Sequence, residues 1–322
     1  MSARSRPTAL LEAVLTRTGL DVDVARAGAE LEGLVAGPWA AYEADPDGRR
    51  FALTESGAPF ELSVKVAADG EMSIRYVVDV ADHTRDLAGN AARYLQAAES
   101  ATGLSEEVVG ALMTRYLHDA PPGSLANVMV GVGWAAGNRR RSTIYLPAGW
   151  LDAGSLDRRL PEPTGLDQPA QVVGYDVEDA GLSSWKTYHW FAVDPTAPPA
   201  GRDLLPELAL RVYDQFAARV VPAARERAAF RQRRLVAGAA QDRLFLFTRL
   251  WQLTDGPELL SLLTLLAGVG LDLGVLRAVA AMAREHGMGM HLGMVAVGGH
   301  GIPSATFYFW PRGPGVSLKW AQ

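Results

Sequence analysis

Pairs of strand-like stretches separated by tight turns recur along this chain, and they restrict its possible folds more than any other feature. The predicted pairs cover residues 57–79, 125–134 with 141–146, 170–177 with 184–193, and 290–297 with 304–310. Their turns fall at Asp69-Gly70, at Gly137-Asn138, near Gly181 and through residues 298–301. Strands joined by a short turn run antiparallel. The sequence therefore excludes a doubly wound parallel sheet.

Helical segments separate most of the pairs. Helical spacing of apolar residues predicts helices over residues 8–18, 22–36, 84–101, 105–118, 204–221, 223–236, 258–267 and 273–286. Residues 243–252 fit a strand or a buried helix equally well, whereas Pro38, residues 44–49 and most of residues 151–169 are predicted to be loops. Hairpins with helices between them predict an α+β fold in a single domain over residues 1–322. The strands could close into one antiparallel barrel ringed by helices, which removes exposed edges, or form an open sheet with helices on one face.

Composition narrows the class of protein. The chain has 322 residues, a net charge of −5 and no cysteine. The charge gives no indication of nucleic acid or acidic membranes as partners, and the lack of cysteine excludes disulfides and thiolate chemistry. The N-terminus is a poor signal peptide, and glycines and Asp272 interrupt the most apolar stretch, residues 259–276. These features predict a cytoplasmic protein.

Common cofactor motifs are missing from the sequence. Gly131, Gly133 and Gly137 imitate a dinucleotide fingerprint, but a strand follows them where the fingerprint needs a helix. There is no Walker loop and no HExxH sequence, the histidines lack ligand-like spacing, and no acidic cluster is present to hold magnesium. The sequence predicts no cofactor and no metal.

Charged residues stand at alternate positions of the first predicted strand pair. Glu61, Ser63 and Lys65 share one face of their strand, and Arg75 shares a face with Asp79 on the partner. Two interpretations are open. These side chains face solvent on an edge strand, or they face the inside of a barrel that holds a charged ligand.

The other strand pairs repeat this chemistry with a cation, a tyrosine or both at every second residue. The positions that share a face are Arg141, Thr143 and Tyr145, then Ser184, Lys186, Tyr188 and Trp190, and finally Thr306, Tyr308 and Trp310. Tyrosine and tryptophan are also ordinary strand residues. Cations that alternate with tyrosines on several strands would nevertheless form a cage for an anion, with tryptophans around an apolar chamber.

Several of these stretches together resemble the dimethylallyltryptophan synthase type of aromatic prenyltransferase. GAPFELSVKV and SIRYVVDV are similar to the TPxExS and VRF segments of that family, and SSWKTY resembles its SRxKxY segment, with Ser184 in place of arginine. RSTIYLP resembles the KxYFxP segment, and SATFYFWP resembles the closing xxxYxxP strand. The stretches follow the expected order over residues 57–311. The seventh and eighth strands of the family have no clear match, and only residues 243–252 could supply them.

The resemblance implies an ABBA prenyltransferase barrel, in which about ten antiparallel strands are ringed by helices, and a cytoplasmic, magnesium-independent transferase of secondary metabolism. Its substrates would be an allylic diphosphate and an indole-type acceptor such as a tryptophan derivative, an indole alkaloid or a peptide. Glu61 would be the catalytic base, and the diphosphate would contact Arg75, Arg141, Tyr145, Lys186, Tyr188 and Tyr308. The alternatives are a non-catalytic barrel that binds an apolar or phosphorylated ligand and, third, a different enzyme in the same barrel.

Overall fold

The fold is described from a computed structural model. The described residues are 5–48, 51, 53–54, 57–82, 87–121, 128–164, 169–179, 181–192, 207, 210, 214, 228–236, 239–249, 267–268, 270–298 and 303–311. Of residues 47, 87–88, 190–192, 228–236, 239–249, 273, 276, 290–298 and 303 the structure describes the backbone alone.

Ten described strands pair side by side, all antiparallel, and β1 pairs with both β2 and β10, so that the ring is closed. Their bounds are β1 Phe60–Ala67, β2 Met72–Asp79, β3 Met129–Ala135, β4 Arg139–Pro147, β5 Val172–Glu178, β6 Gly181–Ala192, β7 Ala228–Val236, β8 Ala239–Arg249, β9 Met288–Gly298 and β10 Pro303–Pro311. The predicted antiparallel pairing is confirmed. Gly70 (φ 85°), Gly137 (φ 74°) and Asn138 (φ 54°) adopt the left-handed conformation that tight turns require.

Helices α1 to α6 span Arg6–Thr18, Val24–Ala44, Leu87–Thr102, Glu106–Leu117, Ala153–Asp157 and Leu273–Glu285. The Ser105 side chain caps α4 by accepting a hydrogen bond from the Val108 amide, as the sequence around Ser105 predicts. No helix in the described part of the chain is long and apolar enough to cross a membrane.

The hydrophobic core lies between the helices and the outer face of the ring. Alternate residues of β1, β2, β3 and β4 are buried there, including Leu62, Tyr76, Val132 and Ile144, together with residues from α1 to α4. Successive strand residues point to opposite faces. The intervening residues, which carry the predicted charged and tyrosine positions, therefore face the inside of the ring.

The predicted helix over residues 223–236 is wrong, because Ala228–Val236 form strand β7 between β6 and β8. The alanine and arginine content of this stretch favours a helix locally. Pairing on both sides satisfies the backbone hydrogen bonds along β7, and this long-range pairing overrides local propensity. Residues 239–249 form β8, which resolves the ambiguity over residues 243–249 in favour of a strand and supplies the seventh and eighth strands together with β7.

One predicted loop is corrected, and a second is loop for most of its described length. Pro38 lies inside α2, although proline removes a helical hydrogen bond and clashes with the preceding turn. Burial of Leu34, Val35, Trp39 and Tyr42 around it offsets that cost. The predicted loop over residues 151–169 contains the short helix α5. The predicted helices over residues 204–221 and 258–267 lie almost wholly outside the described residues, as do residues 250–252, and these remain predictions.

Candidate active site

Tyr145 stands at the centre of the candidate site, between two cations from other strands. The Arg75 guanidinium carbon lies 5.4 Å from the centroid of the Tyr145 ring, and the Lys186 Nζ lies 5.8 Å from it. Tyr188 packs beside it, with the two ring centroids 6.2 Å apart. Strands β2, β4 and β6 therefore bring predicted site residues together across the inside of the ring.

Two polar atoms of this cluster are buried without a hydrogen-bond partner among the described residues. They are the Nε of Arg75 and the hydroxyl of Tyr145. A buried donor without a partner costs free energy, about 1–3 kcal/mol, and such groups are uncommon in folded proteins. Both atoms are N–H or O–H donors, so a ligand with anionic oxygens would satisfy them.

Tyr188 and Tyr308 complete the electrostatic environment of Arg75. Burial on its own lowers the pKa of Arg75, but its interactions with Tyr145, Tyr308, Tyr188 and Glu61 leave that pKa above its ordinary value. Burial raises the pKa of both Tyr188 and Tyr308. The cluster therefore presents a permanent cation and neutral hydroxyl groups that can donate hydrogen bonds.

Glu61 lies on the same inner face, on β1. Only 8% of its surface is exposed, and burial raises the pKa of Glu61 to about 8 although the nearby Arg75 lowers it. No ion pair to Glu61 is found in the described part of the chain, so Arg75 acts on it through its field rather than by direct contact. A carboxyl group in this setting exchanges a proton near neutral pH, which is what a general base requires.

Asp176, on β5, belongs to the site although the sequence reasoning did not single it out. It is fully buried. Its Oδ1 accepts hydrogen bonds from the Lys186 ammonium at 2.6 Å and from the Thr143 hydroxyl at 2.8 Å, and its Oδ2 accepts one from Ser184 at 2.9 Å. Burial alone would raise the pKa of Asp176, but Lys186 holds it below its usual range. The available signal was a lone carboxylate within an apolar predicted strand.

Arg141, by contrast, is not drawn into the cluster. Its side chain is 45% exposed and its Nε donates to Glu178 Oε1 at 2.6 Å, while its Nη1 lies 4.0 Å from Asp176. It stands near the end of the ring formed by the β3–β4 and β5–β6 turns. The structure therefore unites Arg75, Tyr145, Lys186, Tyr188 and Tyr308 and leaves Arg141 at the edge.

The glycines that imitated a nucleotide fingerprint have a steric role here. A Cβ on Gly131 would lie 3.2 Å from the Tyr145 ring, and one on Gly133 would lie 3.2 Å from the Arg75 side chain. Gly174 on β5 is similar, since its Cβ would lie 3.0 Å from Lys186 Cε and 3.4 Å from Tyr145. The site side chains thus lie flat against glycine backbone.

Comparison with known proteins identifies solved structures that share this fold. The sequence matches no protein-family model and no curated protein. A 5-dimethylallyl tryptophan synthase from Streptomyces coelicolor, solved in complex with DMASPP and Trp, superposes with a TM-score of 0.77 at 19% identity, covering 97% of this chain and 96% of that one. A 6-dimethylallyltryptophan synthase from Micromonospora olivasterospora, also with DMASPP and Trp, gives a TM-score of 0.71 at 14% identity, covering 99% of both chains.

A third structure, the prenyltransferase PriB with product diphosphate, gives a TM-score of 0.70 at 16% identity, covering 97% of this chain and 99% of that one. These likenesses extend over nearly the whole chain, including the strands that the sequence motifs did not reach. The resemblance to dimethylallyltryptophan synthases is therefore confirmed at the level of the fold, and this chain has the fold of the ABBA-type aromatic prenyltransferases.

Proposed function

We propose that this chain transfers a prenyl group from an allylic diphosphate to an indole-type aromatic acceptor in secondary metabolism. The observation that carries the proposal is the pair of buried donors, Arg75 Nε and Tyr145 hydroxyl, that have no partner among the described residues. They stand beside Lys186, Tyr188 and Tyr308 and suit the oxygens of a diphosphate. The structures that share the fold contain DMASPP, tryptophan or diphosphate, which supports this choice of anion and acceptor.

In the proposed reaction the allylic C–O bond breaks and its electron pair leaves with the diphosphate. Arg75 and Lys186 stabilise the developing charge through charge-assisted hydrogen bonds, and the tyrosine hydroxyls donate further ones. The rings of Tyr145, Tyr188 and Tyr308 face the allylic cation, favour it through cation–π contacts and exclude water. The closed ring of strands serves as the reaction chamber.

Glu61 acts on the acceptor. As a carboxylate it accepts a hydrogen bond from the indole N–H, which favours the positive charge that builds up on the ring when the new bond forms. Once the new bond has formed, Glu61 takes up the proton that the ring releases as its aromaticity is restored, which makes it the general base. Its position on β1, apart from the Lys186–Asp176 pair on β5 and β6, suits a role at the acceptor rather than at the diphosphate.

The pairing of β6 with β7 adds a candidate that the sequence reasoning missed. The backbone of Arg234 lies opposite Lys186, and that of Gln232 lies opposite Tyr188. Both positions fall in the stretch that the sequence predicted to be helical. On this register, Arg234 is a further position to test by substitution in the diphosphate-binding experiment.

The deciding experiment offers the protein dimethylallyl and geranyl diphosphates with a panel of indoles and measures prenyl mass additions. We expect turnover with at least one acceptor. Lys186→Ala should lower kcat/KM roughly ten- to a hundredfold, because one charge-assisted bond is lost. Arg139→Ala is the matched control, since its side chain is 68% exposed in an ion pair with Glu71, and its kinetics should stay as in the unmodified protein.

Binding of a diphosphate without turnover on any acceptor would favour the non-catalytic barrel instead. Unchanged kinetics in Lys186→Ala, with normal folding, would remove Lys186 from the diphosphate site.

A further inference from the structure

The buried carboxylate of Asp176 has no task in the proposed reaction, and its sign is wrong for an anion site. It contacts Lys186, a buried cation of the described cluster. An uncompensated negative charge so close to a bound diphosphate would repel it, and like-charge repulsion at a buried site is strong. Asp176 therefore places a negative charge where a bound diphosphate would be repelled by it.

Of the cations Lys186, Arg141 and Arg75, the first two have a carboxylate partner. Lys186 is compensated by Asp176 at 2.6 Å, and Arg141 is compensated by Glu178 at 2.6 Å. Arg75 has no carboxylate in ion-pair contact within the described part of the chain. An ammonium group has three N–H donors, so Lys186 can keep one on Asp176 and offer the others to a ligand. Its net attraction for an anion is reduced, while its hydrogen-bonding capacity remains.

Local structure holds Asp176 in this place. Thr143 on β4 and Ser184 on β6 both donate to it, and the register of β5 and β6 shifts between Asp176 and Val177. Such irregularities re-aim side chains and are frequent beside functional sites. The carboxylate is therefore fixed by strands on both sides and is not a surface charge that happens to lie near Lys186.

We propose that Asp176 is a built-in counter-charge that weakens the hold of the site on diphosphate, so that the product can leave. This inference rests on the proposed function and deepens it. Asp176 touches Lys186 rather than the reacting atoms, so it is a positioning and charge-balancing residue. Its removal should tighten anion binding, which is the opposite of what loss of a purely structural residue would do.

The test uses Asp176→Asn, a change that keeps the shape of the side chain. The asparagine oxygen can still accept from Lys186 and Thr143, and its amide can donate to the Ser184 hydroxyl, which is able to reverse its role. The probe is inorganic diphosphate, titrated calorimetrically into the whole protein. We expect Asp176→Asn to bind it at least about tenfold more tightly than the unmodified protein. Stronger product inhibition by diphosphate should accompany this change.

Glu178→Gln is the matched control, because it removes the same charge from the same strand at an exposed position with 41% of its side chain accessible. Its affinity should change less than about twofold, since solvent screens an exposed charge. Equal or weaker diphosphate binding in Asp176→Asn would overturn the inference, and so would an equal gain in Glu178→Gln.

A second pair of variants keeps the inference testable even if Asp176→Asn alone does not fold. Lys186→Gln removes the ammonium that pairs with Asp176 and keeps the carboxylate, so it should weaken diphosphate binding at least about a hundredfold. Adding Asp176→Asn to Lys186→Gln should restore the affinity to within about tenfold of the unmodified protein, because both charges are then gone. Absence of rescue would show that Asp176 only positions Lys186.

The outcomes separate the two proposals. If neither the unmodified protein nor any variant binds diphosphate, the anion site is wrong and the inference falls with the proposed function. If the unmodified protein binds diphosphate and transfers prenyl groups while Asp176→Asn shows no gain, only the inference falls.

Discussion

Glu61 combines a buried position with a raised pKa, and this combination determines the pH at which it can act as a base. The carboxylate form has to be present, so kcat/KM for the acceptor should rise about tenfold per pH unit below pH 8 and level off above it. In Glu61→Gln this rise should be missing, and turnover should fall about a hundredfold or more. The measurement is the pH profile of prenyl transfer in both proteins.

Stability supplies an independent readout of the same group. The native pKa of about 8 lies above the ordinary 4.5, so the native state binds more protons than the unfolded state between these values. The stabilising contribution of the neutral Glu61 is therefore complete below about pH 4.5 and is lost as pH rises to 8. As pH rises from 4.5 to 8, the free energy of unfolding of the unmodified protein should fall relative to that of Glu61→Gln. A normal rate in Glu61→Gln on the true acceptor would contradict the catalytic role.

The residue scale also shows what sequence can reach. Alternation along strands predicted which residues share a face with Glu61, Arg75, Lys186 and Tyr308, because side-chain direction in a strand is a local property. It left open whether the face of Glu61 and Arg75 meets solvent or the inside of a barrel, which only the pairing of all the strands decides. Sequence reasoning missed Asp176 because its role depends on the contact with Lys186, which lies on the neighbouring strand β6, and the register of β5 and β6 shifts next to Asp176.

At the scale of elements, turn residues predicted the hairpins correctly, whereas amino-acid composition led to a wrong prediction for β7. Hairpins with Gly70 or Gly137 at their turns were found because those positions need a left-handed backbone. Strand β7 was assigned to a helix because alanine and arginine dominate it, and its strand state depends on partners that are distant in sequence. Pro38 was predicted to lie in a loop but lies inside α2, because burial of its neighbours keeps that helix continuous.

Gly131 and Gly133 on β3 and Gly174 on β5 lie against side chains of the candidate site, and this packing leads to a prediction. Gly174→Ala would place a methyl group 3.0 Å from Lys186 Cε and 3.2 Å from Lys186 Cγ, so the Lys186 side chain must shift by a few tenths of an ångström, while the Tyr145 ring at 3.4 Å stays in ordinary contact. Because small misplacements at a reaction centre are costly, kcat/KM should fall about tenfold. The measurement is steady-state kinetics together with the melting temperature.

Gly181→Ala on β6 provides the comparison, since its new Cβ would meet its nearest neighbour at an ordinary 3.7 Å. Its kinetics should match those of the unmodified protein. A similar loss of rate in both variants would mean that strand glycines matter here for backbone reasons, and not because of the side chains that lie over Gly174.

At the scale of the whole molecule, closure of the ring determines how the site is built. Since β1 pairs with β10 as well as β2, no edge remains among these strands, and residues far apart in sequence face each other inside. Arg75 and Tyr308 act on each other from β2 and β10 for this reason. The hairpin pattern favoured such a ring but left an open sheet possible, because the pairing of first and last strands carries no local signal in the sequence.

The same architecture bears on the metal requirement, which we expect to be absent. Enzymes that ionise a diphosphate need positive charge on the leaving group, and magnesium held by carboxylates is a common source. No group of three or more histidine, cysteine, aspartate or glutamate residues suited to a metal is found in the described part of this chain. In the proposed diphosphate site, Arg75, Lys186 and the tyrosine hydroxyls would supply that charge. Prenyl transfer in excess EDTA should therefore proceed within about twofold of the rate without chelator. Complete loss of turnover in EDTA, with recovery on adding magnesium, would show that these side chains do not suffice to stabilise the leaving diphosphate.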